Sequence, residues 1–298
     1  MSDEQKPTNR KPLATFPRPT KKYRSEPYDR ISLANSGFDG TGKTVFITGG
    51  ATGVGYAIAH AFAKAGARRI ILVSRTVRSL ENAKKSLSAQ YPSLECLVFA
   101  ASLTDYQKIT DIVQQINDID VLVHSAVMVN EPIPVEQIPV STAQELFVTN
   151  VFGALNLFTA YCNCEFRGPK TIINVSSAAA GVLIPLNSLY GASKAATAQI
   201  LQHMAAEQQA KPVGERVRIF SFHPGHFYTP LVAQHVDKTW VDWDDIELAG
   251  DYAVWLAGSN SAFLEGRFTW ATWDMDELLA LKAQIEQDPS YLTIGLKF

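Results

Sequence analysis

Tyr190 and Lys194 stand four residues apart. On a helix that spacing puts both side chains on one face, one turn above the other. A free phenol titrates at about 10 and a lysine amine at about 10.4. An ammonium fixed beside the phenol favours phenolate, so the expectation is a lowered tyrosine pKa. Such a group exchanges a proton with a substrate oxygen near neutral pH. Ser177 precedes Tyr190 by thirteen residues and follows an apolar run that reads as a strand. It is positioned to hold the same oxygen from the other side.

These groups need a scaffold, and the chain supplies one by alternation. Strand Val45 to Thr48 leads into Gly49-Gly-Ala-Thr52-Gly53-Val54-Gly55, and a helix follows with Ile58, Ala61, Phe62 and Ala65 at helical spacing. Glycines between a strand and a helix let the backbone turn tightly and approach a pyrophosphate, which sits against the helix dipole. A second strand, Arg69 to Val73, ends at Ser74-Arg75. A carboxylate there would bind the ribose 2′-hydroxyl of NAD; Arg75 suits the 2′-phosphate of NADP instead.

Helical spacing resumes from Val77 to Ala89, and Leu94 to Ala100 reads as a third strand. Thr104 and Gln107 read as a capping box for a helix with Ile109, Ile112, Val113 and Ile116 on its apolar stripe. Strand four, Val121 to His124, closes on Ser125-Ala126. Ser141 and Gln144 read as a second capping box, opening a long helix through Leu146, Asn150, Leu157 and Tyr161. Thr171 to Val175 is strand five, the Tyr190 helix continues through Met204, and Val217 to Phe222 is strand six, ending His223-Pro224-Gly225. The alternation predicts an α/β fold: a Rossmann-type, doubly wound parallel sheet of about seven strands with helices on both faces. Ligands on such sheets bind beyond the carboxyl ends of the strands, where Gly49, Arg75, Ser125, Ser177 and Pro224 all fall.

One pattern misleads. Gly37-Phe-Asp-Gly-Thr-Gly42-Lys43-Thr44 satisfies the letter of the Walker A motif, but the strand follows it instead of preceding it, so it is rejected as a nucleotide site.

Residues 1 to about 40 carry Pro7, Pro12, Pro17, Pro19 and Pro27 and build no core of their own. They read as an extended or disordered arm before a single domain from 41 to 298. Ile31, Leu33 and Phe38 give the arm enough apolar surface to dock on the body or on a partner subunit. The net charge of −2 gives no broad electrostatic case for nucleic acid. No uninterrupted apolar run reaches about 18 residues, so no membrane span is expected. Three cysteines, with no signal-peptide core, suit a reducing compartment, and a cytoplasmic protein is expected. Cys162 and Cys164 have no matching Cys/His pair and read as packing, so no metal is expected.

Taken together, Thr48-Gly-x-x-x-Gly53-x-Gly55, Asn150, Ser177, Tyr190-x-x-x-Lys194 and Pro224-Gly225 followed by Thr229 resemble the short-chain dehydrogenase/reductase family of NAD(P)-dependent oxidoreductases. The resemblance runs from about Lys43 to Phe268. It implies a catalytic four of Asn150, Ser177, Tyr190 and Lys194. In that set Tyr190 is the acid/base, Lys194 holds the nicotinamide ribose, Ser177 orients the carbonyl and Asn150 binds a relay water. It implies NADP(H) contacts from Gly49, Thr52, Gly53, Val54, Gly55, Ser74, Arg75, Ser102, Leu103, Ser125, Ala126, Pro224, Gly225 and Thr229, as well as from Tyr190 and Lys194.

Two positions depart from the family pattern. His124-Ser-Ala-Val127 replaces Asn-Asn-Ala-Gly, and Ser102 replaces an aspartate beside the adenine. The stretch 226–243 would fold over the substrate, where Phe227, Tyr228, Trp240 and Trp243 suit a cyclic or aromatic molecule. Trp255, Trp270 and Trp273 fit the core or an interface, and a last helix from about Asp276 to Gln287 belongs to a C-terminal extension, 274–298. The implied activity is reduction of a ketone or aldehyde, or the reverse alcohol oxidation, on a specialised metabolite by a homodimer or homotetramer. The alternatives are imine reduction, epimerisation or dehydration on the same fold, or a non-catalytic NADP-binding protein.

Overall fold

The computed structural model describes residues 18–165 and 168–295. Seven parallel strands stand in the order β3-β2-β1-β4-β5-β6-β7. They are β1 (Thr44–Thr48), β2 (Arg69–Ser74), β3 (Glu95–Ala100), β4 (Val121–His124), β5 (Lys170–Val175), β6 (Val217–His223) and β7 (Phe268–Trp270). The order reverses between β1 and β4, and a ligand crevice opens at such a switch point.

Both faces of the sheet are covered, which explains the nearly continuous apolar runs of the strands. Val45, Ile47, Ile70 and Leu72 point into one core with α1 (Gly53–Lys64), α2 (Val77–Gln90) and α7 (Glu247–Ala257). Phe46, Ile71, Val73 and Leu122 alternate into the opposite core, against α3 (Tyr106–Ile116), α5 (Gly153–Cys162) and α6 (Ser188–Gln209). Gly250 lets α7 press onto α1: a Cβ there would lie 2.9 Å from the Ala57 carbonyl oxygen.

Several helix ends differ from the sequence reading. Asp105, not Thr104, caps α3, accepting from the Lys108 N–H at 3.2 Å. Thr104 instead shares a 2.8 Å hydrogen bond with Ser102. The Ser141 capping box does not form, because α4 (Val140–Phe147) starts directly after Pro139 with no side-chain cap. Proline at that point fixes the entry and leaves Ser141 inside the first turn. The long helix expected here is α4 and α5 joined by one π-helical turn, Val148–Phe152. The last helix is two short ones, α8 (Met275–Ala280) and α9 (Lys282–Gln287), broken at Leu281.

The arm from residue 18 onward lies along the body. Tyr23 forms an antiparallel bridge to Trp273, and the Arg24 N–H donates to the Thr272 carbonyl at 2.8 Å. Arg24 pairs with the buried Asp274 at 2.6 Å. Ile31 is fully buried, a contribution of about 1.5–3 kcal/mol. Phe38 meets Phe62 edge-on. Residues 1–17 of the expected arm lie outside the described residues. Lys43, in the misleading glycine pattern, pairs with Asp120 at 2.9 Å at the amino end of β1, away from the crevice. Trp255 and Trp273 are buried, and Trp273 stacks on Trp270.

Candidate active site

The crevice begins at the loop between β1 and α1. Gly49 has φ +67° and Gly53 φ +55°, conformations that favour glycine. A Cβ on Gly49 would lie 2.8 Å from the Ala126 backbone nitrogen, and one on Gly55 would lie 2.3 Å from the Gly49 carbonyl oxygen. The loop is therefore folded tightly onto itself and onto the end of β4. Thr52 caps α1 without a side-chain hydrogen bond. The first-turn N–H groups of α1 are thus not claimed by that cap, which suits an anion. Gly53 and Val54 open that turn, and Thr229 stands over it, its methyl 3.5 Å from where a Gly53 Cβ would be. At the end of β2, Ser74 is half-buried and Arg75 is exposed. Ser102 lies beyond β3, and Leu103 is buried against Gly153. Ser125 and Ala126 both donate backbone N–H groups to the Thr48 hydroxyl, at 3.2 and 3.3 Å. A cradle of close backbone, an open helix terminus and a basic side chain past β2 fits a phosphorylated dinucleotide.

The proposed catalytic side chains come together one strand further on. Ser177 follows β5 and accepts from the Ala179 N–H at 3.2 Å. Its hydroxyl lies near enough to the Tyr190 phenol, in the first turn of α6, to favour the ionised phenol. Tyr190 is half-buried, while Lys194 is 4% exposed.

The expected lowering of the Tyr190 pKa does not occur. Burial raises it, and the Ser177 hydroxyl only partly offsets that rise. The reason lies in where the ammonium goes. Lys194 Nζ donates to the Val175 carbonyl at 2.8 Å, back toward the sheet, rather than standing against the phenol. Burial also depresses Lys194 itself, to about 8.

Asn150 is buried inside the π-helical turn, a local widening often found at functional sites. Its Oδ1 accepts from the Met128 N–H and its Nδ2 donates to the Met128 carbonyl, both at 2.8 Å. The same Nδ2 donates to Ser193 Oγ at 3.0 Å, and its backbone carbonyl accepts from Thr197 Oγ1 at 3.0 Å. The amide thus pins the segment after β4 to α6, between Tyr190 and Lys194 in sequence.

His124, seen from sequence only as a departure, turns out to be a fully enclosed part of the site. Its Nδ1 is 3.1 Å from Thr48 Oγ1, and its ring meets Phe158 edge-on. Burial, with the Lys194 charge adding to it, lowers its pKa to about 3, so the imidazole is neutral.

Past β6, Gly225 has φ +119°, and a Cβ there would lie 2.9 Å from Phe227 and 3.1 Å from Asp244. Of the expected lid aromatics, Phe227 is buried, Tyr228 packs on Trp243 with ring centres 5.4 Å apart, and the Trp240 side chain lies outside the described residues. Asp244 was missed in the sequence. Its Oδ2 accepts from the His226 N–H at 2.8 Å and from the Tyr23 hydroxyl at 3.1 Å. Only a polar residue closing an aromatic stretch could have flagged it.

The family model for short chain dehydrogenases matches residues 43–240. The chain is 51% identical over 282 residues to the short chain dehydrogenase/reductase nsrO of Aspergillus novofumigatus, covering 94% of this chain and 97% of that one. It is 46% identical over 282 residues to a short chain dehydrogenase/reductase of Claviceps purpurea, covering 95% of each. Among solved structures, a short chain dehydrogenase/reductase family protein superposes with a TM-score of 0.68 at 27% identity, over 78% of this chain and 98% of that chain. The chain belongs to the short-chain dehydrogenase/reductase family. It is an oxidoreductase of a family that uses NAD(P). Among the described residues no helix is long and apolar enough to cross a membrane.

Proposed function

We propose that the protein is an NADP(H)-dependent carbonyl reductase, acting on a ketone or aldehyde of a cyclic or aromatic specialised metabolite. The observation that carries this reading is the Ser177 hydroxyl set close to the Tyr190 phenol, with the buried Lys194 one turn further along α6. When bound, the reduced nicotinamide supplies the hydride that reaches the carbonyl carbon. Tyr190 donates its proton to the carbonyl oxygen, and Ser177 holds that oxygen. The raised pKa leaves the phenol protonated at neutral pH, the state a general acid needs. Lys194, one turn along α6, is a cation below its pKa of about 8 and would hold the nicotinamide ribose. Asn150 fixes the Ser193 side of α6, so that Tyr190 and Lys194 keep their orientation.

Gly49, Thr52, Gly53, Val54 and Gly55 would take the pyrophosphate. Arg75 and Ser74 would take the 2′-phosphate, and Ser102 and Leu103 would border the adenine. Ser125, Ala126, Pro224, Gly225 and Thr229 would border the nicotinamide end. Support for NADP is the cation past β2 where NAD enzymes carry a carboxylate. Phe152 and Leu155 lie exposed on and beside α5, which suits a homodimer or homotetramer packed through the helices of Asn150 and Tyr190. The test is isotopic. NADPH carrying deuterium at both C4 positions should label the product alcohol at its carbinol carbon; a product without label would refute net reduction.

A further inference from the structure

The segment 224–229 walls the crevice between two fixed ends. At one end, Pro224 follows β6, which pairs with the strand that leads to Ser177. At the other, Thr229 stands over Gly53. His226 lies between them, its side chain 27% exposed. Its backbone is locked to the far end of the lid: its N–H donates to Asp244 Oδ2, and its carbonyl accepts the Asp244 N–H, both at 2.8 Å. The ring is held as well. The buried His223 imidazole meets it edge-on at 4.9 Å, and Asp244 Oδ2 lies 3.8 Å from its Nδ1.

The Asp244 carboxylate that organises this corner has a side chain only 1% exposed. From outside the lid the Tyr23 hydroxyl on the arm reaches it at 3.1 Å. The next residue of the lid is tied to the arm too, through Asp245 N–H to the Ser25 carbonyl at 2.7 Å. A carboxylate facing Nδ1 selects the tautomer with its proton there, and leaves Nε2 as an acceptor.

Resting on the carbonyl-reductase reading above, we infer that His226 is a substrate-binding residue that accepts a hydrogen bond from a hydroxyl of the substrate other than the reacting carbonyl. Asp244 and Tyr23 are the positioning residues that aim it. The substrate class is therefore a hydroxylated cyclic ketone, and the N-terminal arm completes the pocket that recognises it.

Two measurements on the full-length enzyme test this. In the first, 6-hydroxy-1-tetralone and 1-tetralone are titrated into the enzyme–NADPH complex, with binding read from NADPH fluorescence. The wild type should bind the hydroxylated ketone about tenfold more tightly. That preference should fall to near unity in His226→Ala, be partly kept in His226→Gln, which retains an acceptor, and shrink in Tyr23→Phe. No preference in the wild type, or an equal loss for both ketones in His226→Ala, overturns the assignment.

In the second, long-range 1H–15N spectra of 15N-histidine-labelled enzyme read the His226 tautomer directly. The wild type should carry the proton on Nδ1, and Asp244→Asn should shift it toward Nε2. An Nε2–H ring in the wild type, or one unmoved in both Asp244→Asn and Tyr23→Phe, contradicts the positioning role. Tyr190→Phe measured alongside separates the two readings. Turnover surviving in that variant breaks carbonyl reduction by Tyr190, while a lost hydroxyl preference with Tyr190 still essential breaks only the role of His226.

Discussion

The proposed cofactor side of the crevice is made of near neighbours. Gly49, Gly53 and Gly55 close one loop, and Ser177 meets Tyr190 across a single connection. The proposed substrate side is made of strangers: Tyr23 reaches Asp244 over 221 residues, and Arg24 reaches Asp274 over 250. The first is held by backbone geometry that local sequence imposes. The second is held by polar contacts that exist only once the chain has folded. Changes on the cofactor side should therefore strike cofactor binding and turnover, whereas changes on the arm should strike stability and substrate affinity.

The largest separation should come from Gly55→Ala. Its Cβ meets backbone rather than a flexible side chain, so the loop must open. NADPH affinity measured by fluorescence should fall more than about 100-fold, equivalent to about 2.7 kcal/mol or more. Retained affinity would mean the loop is not the phosphate cradle.

Arg24→Ala is the counterpart on the arm. It removes the cation that hydrogen-bonds the buried Asp274 carboxylate, which should cost about 1.5–3 kcal/mol in denaturant unfolding. NADPH affinity should change little. A large drop in NADPH affinity would erase the distinction between the two sides.

Lys194→Met tests burial of charge. The folded pKa of about 8 lies below the unfolded value of about 10.4. Below pH 8 both states hold the proton, and the full penalty of burying it is present. Between pH 8 and 10.4 the unfolded state binds more protons, so this group makes stability rise with pH. Chemical unfolding should find the apo variant more stable than the wild type at pH 7, with the gain shrinking across that window. A gain that stays constant would mean the amine is not depressed. The smallest effect belongs to Arg75→Ala, an exposed side chain. The KM for NADPH should rise about tenfold and that for NADH stay flat, the value of about one charge-assisted contact.

How much of this was legible follows the same division. The six longer strands could be read because each is a mostly apolar run, and all but β3 end on or just before a polar residue. β7 spans only Phe268–Trp270 and gave no pattern. The α3 cap was misread by one position because Ser102, Thr104 and Asp105 are all competent caps, and Ser102 takes Thr104 out of competition. Tyr190 and Lys194 were found by spacing, but spacing fixes only where the backbones stand. The four-carbon stem of lysine carries its amine to Val175, so the expected lowering of the phenol's pKa does not follow from the spacing. Asp244 and His226 were not found as a pair, because nothing local announces that residue 244 folds back onto residue 226.

The central claim is that the Tyr190 phenol hands its proton to the substrate oxygen. Single-turnover kinetics of Tyr190→Phe against the wild type, with NADPH saturating, test it most directly. The account predicts a loss of about 10³-fold or more in the chemical step, as expected for a missing general acid, with NADPH affinity within about threefold of the wild type. A Phe variant that oxidises NADPH at the parental rate would contradict it.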